Sequence, residues 1–310
     1  MFRIPYTSCD LPPSVAAAID AEGVLETSWD ELLHAALTIG RPNTADIFRH
    51  ESAAFHETLF RLSQVRMAVE EDQASRTLRQ TRMFHCLDAT EQAATGYFLA
   101  MALCRLFAGR VQAPWMLHVR ALCGVVPEVL ASRTRPDLVA QAPDLSWYAF
   151  RCAPALVAPD PGAVLDAMER PAWAAAVDGT DCALQAVAIC HFQGDALAFH
   201  WAGEQPLSRT PERVDLRLPD DCWRHYYEPA LSLLGETAGS TNLPSEYRVM
   251  DVGVETDPGM HELLLERNWA EARAYALWRG SHDLEAHGLQ PDGLRVAAGT
   301  TWRTSREWDA

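Results

Sequence analysis

Apolar positions recur at helical spacing early in the chain. Leu32, Leu33, Ala36 and Leu37 follow a capping serine, Ser28, and predict one helix. Phe48, Phe55, Leu59 and Leu62 predict a longer one from Thr44 towards Glu71. Its arginine- and glutamate-rich continuation through Arg82 predicts a solvated stretch, so residues 1–80 read as a helical N-terminal region. The pattern then changes. Asp88-Ala89-Thr90-Glu91 has the form of a capping box, and Ala93 to Ala108 is apolar nearly all the way round, the mark of a helix buried on both sides.

Short strand-like runs follow at Trp115–Ala121, Asp137–Gln141 and Ser146–Ala153. A helix over 162–177, kinked at Pro171, precedes a strand at Leu184–Phe192. Gln193-Gly194-Asp195 turns that strand into a hairpin partner, Ala196–Ala202. Beyond about 205 the pattern predicts a helix at Asp221–Gly235, a strand at Tyr247–Val254, a helix near Met260–Arg279 and a last strand, Leu294–Thr301. Composition shifts divide the chain into 1–80, 81–205 and 206–310.

Taken as elements, 81–205 is helix, three strands, helix, strand. That αβββαβ order, with Arg135-Pro136-Asp137-Leu138-Val139 opening the second strand and Ser146–Ala153 as the third, resembles the PD-(D/E)xK, or restriction-endonuclease-like, superfamily. The resemblance implies an α/β (α+β) fold: an αβββαβ core with a helical N-terminal region and an α/β C-terminal extension. It also implies a nuclease ancestry, with a context in bacterial defence or DNA metabolism. In that family an Asp and an acid on the next strand bind Mg²⁺, which activates water, and a lysine two residues on assists from the same strand face.

The chain departs from this pattern. Arg151 and Ala153, or Ala149 and Arg151, occupy the acid-x-Lys positions, and neither pair supplies a carboxylate. Arginine keeps a positive charge but does not yield a proton. Catalysis would need Asp137 as a metal ligand joined by a migrated acid: Glu91 on the first core helix, or Asp166 or Glu169 on the helix after the third strand. Arg151 would then act as an electrostatic clamp, and Gln185 on the last core strand would assist.

Composition narrows the chemistry. All 26 basic residues are arginine, so no Schiff-base, P-loop or general-base lysine exists. The net charge of -16 disfavours tight non-specific binding to duplex DNA. The eight cysteines form no C-x-x-C pair and read as reduced thiols, Cys152 among them. With no export signal and no long apolar run, a cytoplasmic protein with no membrane partner is expected. Neither G-x-S-x-G, G-x-G-x-x-G nor H-E-x-x-H occurs.

Three further groupings qualify as candidates. Arg224, His225, Tyr226 and Tyr227 form a polar-aromatic patch able to stack a ligand ring. Asp251, Glu255 and Asp257 alternate along a strand end and could hold a divalent cation. Cys182, Cys190, His191 and His200 could be zinc ligands, although their spacing matches no zinc module. Three functions stay open. One is a non-catalytic or weakly catalytic restriction-endonuclease-like protein that binds a nucleic acid, nucleotide or protein. The others are a Mg²⁺-dependent nuclease using Asp137, and an acidic protein-interaction or biosynthetic accessory.

Overall fold

The first strand, β1 (Phe2–Cys9), alternates buried Phe2 and Ile4 with exposed Arg3, and pairs antiparallel with β2 (Glu22–Thr27) across the short helix α1 (Pro13–Ala16). A computed structural model describes residues 1–39, 51–119, 135–154, 173–203, 212–231, 233–234 and 250–304. Ser28 starts α2 (Trp29–Thr38) through a reciprocal capping box with Glu31. The helix α3 (Glu51–Ala68) leads into a hairpin of β3 (Val69–Asp72) and β4 (Thr77–Gln80). After α4 (Arg82–Cys86), Asp88 and Glu91 cap α5 (Ala89–Arg110).

Three strands, β5 (Trp115–His118), β6 (Leu138–Gln141) and β7 (Trp147–Pro154), form an antiparallel meander. Next come β8 (Trp173–Val177), β9 (Thr180–Asp181), β10 (Leu184–Gln193), β11 (Ala196–Gly203) and β12 (Glu212–Leu216). The chain then passes through α6 (Arg224–Leu231), β13 (Val252–Thr256), α7 (Pro258–Leu265), α8 (Trp269–Arg279) and α9 (Ser281–Ala286). It closes with β14 (Leu294–Ala298) and α10 (Thr300–Arg303).

Among the described residues, these elements make a mixed α/β protein around a nine-stranded sheet. β10 lies parallel to β7, and the β10–β11 hairpin carries the sheet on to β1, which is parallel to β11. The β3–β4 hairpin is wedged against the starts of β1 and β11. β8, β9 and β12 form a small second sheet, and β13 pairs with β14. α5 packs against β7 and β10 and also against α2 and α3, which is why it is apolar all round. Along β10, Leu184, Ala186, Ala188, Cys190 and Phe192 enter the main core. Val187 and Ile189 form a smaller cluster with Ala202 on the other face.

The N-terminal region is therefore not all helical: four of its elements are strands of the central sheet. The stretch expected to be a solvated continuation is the β3–β4 hairpin, whose charged residues suit strands at a sheet margin. Trp173–Val177 is a strand rather than a helix tail, and the rest of that expected helix, 162–172, lies outside the described residues. The expected helix at Met260–Arg279 is two helices, parted at Arg267, whose φ of 63° breaks the turn. The last expected strand ends at Ala298, where Gly299 leads into α10.

Gly203 closes β11 against the turn after β1. A Cβ there would overlap the carbonyl oxygen of Asp10, itself at φ 53°. The obstacle is backbone, which has little room to give. Gly203→Ala is expected to destabilise by about 1–3 kcal/mol, read as a lower urea midpoint at unchanged m-value.

Candidate functional site

Asp137 sits one residue before β6, where the β6–β7 ladder begins. Its N–H donates to the Phe150 carbonyl at 2.8 Å, and its own carbonyl accepts from Val119 N–H at 2.9 Å. Leu138 pairs with Phe150, so the register places Arg151 opposite Asp137. The half-buried carboxylate is held at both oxygens. Tyr97 Oη, from α5, donates to Oδ1 at 2.6 Å, and the Cys152 backbone N–H donates to Oδ2 at 2.8 Å. Asp137 thereby joins α5, β6 and β7.

The other residues of the expected nuclease constellation are placed differently. Glu91 is exposed and turned back on its own helix start, accepting from Asp88 N–H at 3.2 Å. Arg151 is buried in β7 beside Val187 of β10. Gln185 accepts from Ala175 N–H at 3.2 Å and so ties β10 to β8. Asp166 and Glu169 lie outside the described residues. The structure thus brings Asp137 next to Arg151 but leaves Glu91 apart. Burial, with smaller contributions from Cys104, Asp137 and Cys190, pushes the Cys152 thiol well up, so this cysteine is not an activated nucleophile.

The Arg224–Tyr227 patch is mostly internal. Tyr226 and Tyr227 are fully buried, Arg224 forks onto Glu228 at 3.1 and 3.2 Å, and His225 is half-buried. Tyr226 donates to Oδ2 of Asp292, a carboxylate with no exposed surface. His34 Nε2 lies 2.9 Å from the same oxygen and Arg105 Nη2 3.6 Å from it, while Leu294 N–H donates to Oδ1 at 3.1 Å. Tyr227 Oη accepts from Trp115 Nε1 at 3.1 Å and donates to the Asp292 carbonyl at 3.2 Å. This network joins α2, α5, α6 and the turn before β14. Nothing local in the sequence marked His34, Arg105 or Asp292 as partners.

Asp251, Glu255 and Asp257 do not converge. Asp251 accepts from the N–H and the hydroxyl of Thr301, Glu255 pairs with Arg295, and Asp257 accepts from Gly259 N–H, Tyr275 and Arg279. His200 bonds Thr7 at 2.6 Å and approaches Cys9 Sγ at 3.9 Å, whereas Cys190 enters the opposite, main core. Among the described residues, no group of three or more His, Cys, Asp or Glu is placed to hold a metal ion. None of the described helices is long and apolar enough to cross a membrane. A cleft of about 420 Å³ opens at the C-terminal end of α5, lined by Tyr6, Val24, Phe107 and Arg110 among others.

Compared with known proteins, the chain matches no family model, no curated protein and no solved structure.

Proposed function

We propose that this protein has a restriction-endonuclease-like core whose cleaving chemistry has given way to structure, and that it acts by binding a protein, nucleotide or nucleic-acid partner. The observation that carries the reading is the Asp137 carboxylate. Each of its oxygens is held by a fixed donor, Tyr97 Oη and Cys152 N–H, and the neighbouring strand offers Arg151 where a second acid belongs. A metal site of this kind needs a second acid beside the first, and a guanidinium in that place repels the ion. The element order supports the same reading: α5, then the β5–β7 meander, then β10 parallel to β7. The charge of -16 argues against a partner recognised through its phosphate backbone alone.

The test is a cleavage assay on single- and double-stranded DNA and RNA with Mg²⁺ or Mn²⁺, with EDTA and Asp137→Ala as controls. No metal-dependent cutting is expected. Cutting that Asp137→Ala abolishes would overturn the reading in favour of a nuclease with a relocated acid, and Asp166 and Glu169 would be substituted next. Fluorescence anisotropy with labelled oligonucleotides and nucleotides then separates those partners from a protein.

A structural Asp137 also has a stability signature. Asp137→Ala leaves the Cys152 N–H without its acceptor, and is expected to cost about 1–3 kcal/mol in urea denaturation. Tyr97→Phe removes one hydroxyl donor and is expected to cost less, about 0.5–1.5 kcal/mol.

A further inference from the structure

Arg273 points inward from α8 and is 8% exposed. Its guanidinium carbon lies 5.0 Å from the centroid of Trp115 and 4.5 Å from that of Trp223, which itself stacks on Trp147 at 6.3 Å. Two ring faces stabilise a cation by less than burying its charge costs. Two other buried arginines are paired with acids, Arg61 with Glu57 and Arg105 with Asp292. Among the described residues, no carboxylate pairs with Arg273, and none accepts a hydrogen bond from its Nε or Nη2, both buried. The nearby ionisable groups do not fill the gap. Burial pushes Tyr227 far up and Cys222 up to about 12, so both stay protonated and neutral.

Nε and Nη2 are the two donors of the guanidinium edge that takes a carboxylate or phosphate side-on, through two parallel hydrogen bonds. Trp115 pairs with Gln141, and Gln141 with Trp147, so this cluster lies at the end of the meander away from Asp137. We propose that Arg273 anchors a site for the oxyanion group of a small ligand, with the Trp115 and Trp223 rings holding the guanidinium in place. The site does not depend on the nuclease-like reading of the core.

The test is a titration of the full chain with sodium phosphate and, separately, sodium acetate at constant ionic strength. Sodium chloride is the control, and tryptophan fluorescence and thermal midpoint are the readouts. A saturable fluorescence change with a rise in midpoint is expected for at least one oxyanion and not for chloride. The arm that responds identifies phosphate or carboxylate as the group recognised. Arg273→Met removes the donors and is expected to abolish the response. Arg273→Lys keeps the charge but loses the fork, and is expected to weaken binding about tenfold or more. Far-UV circular dichroism establishes that each variant is folded. No response of the unmodified chain beyond chloride would overturn the proposal without recourse to any variant. An equal response in a folded variant would overturn it too, by placing the anion elsewhere.

Discussion

Asp292→Ala should destabilise the protein by about 3–5 kcal/mol, because it removes an anion that compensates a buried guanidinium. The carboxylate has no exposed surface, accepts from Tyr226 and Leu294 N–H, and lies beside His34 and Arg105. Without it, Arg105 keeps its charge in a buried position and Tyr226 keeps only the Pro114 carbonyl as acceptor, at 3.2 Å. Asp292→Asn keeps the shape but not the charge, so little of the loss should be recovered. Replacing Arg105 with Met together with Asp292→Leu should cost less than Asp292→Ala alone, since an apolar replacement of a whole buried pair is often neutral. A urea series on the three variants checks this. A loss below about 1 kcal/mol for Asp292→Ala would mean that the network contributes little beyond packing.

The same carboxylate sets a pH dependence. Burial alone would raise its pKa, but the charge and hydrogen bond of His34, the Arg105 charge and the Tyr226 hydroxyl outweigh burial and lower it. A carboxyl with a depressed folded pKa contributes stability that is fully present above its unfolded value, about 3.9, and is lost as pH falls through the folded pKa. The unmodified chain should therefore lose stability below about pH 4, and Asp292→Ala should show a flatter curve there. A variant curve as steep as the parent's would assign the acid sensitivity to other carboxylates.

Elements whose cause is local could be read from the sequence. Ser28 with Glu31 and Asp88 with Glu91 are complete capping boxes within four residues, and both helices start there. The apolar girth of α5 announced a helix enclosed on all sides, and the runs of β7, β10 and β11 announced buried strands. The N-terminal strands were harder. Pro5 interrupts the alternation of β1, β2 holds Glu22 and Glu26, and the β3–β4 hairpin is charged because it sits at a sheet margin. At the candidate site, the Pro-Asp signal did mark a residue held at a strand junction. Its donors come from a helix 40 residues earlier and a strand 15 residues later, so spacing alone could not reveal them. The network around Asp292 and the box around Arg273 gather residues from three or more elements each. Such clusters are products of the tertiary fold and leave no period in the chain.

Phe107→Ala is expected to cost about 3–5 kcal/mol, and it also tests whether the N-terminal strands belong to the central cooperative unit. Phe107 is 1% exposed and stacks on Phe199 of β11, with ring centroids 4.4 Å apart and planes at 15°. Its edges meet Tyr6 of β1 at 5.0 Å and Trp201 of β11 at 5.7 Å. One ring thus joins the buried helix, the hairpin strand and the first strand of the chain. Removing it opens a cavity between rigid aromatic neighbours and strands locked in their ladders, which leaves little scope for collapse. If β1 and β2 form one unit with β10 and β11, the variant should still unfold in a single transition, with coincident far-UV circular dichroism and tryptophan fluorescence curves. An early partial transition would show that the N-terminal strands unfold separately. Phe107→Leu fills part of the cavity and should recover a substantial share of the loss. No recovery would mean that ring geometry, rather than buried volume, dominates at this junction.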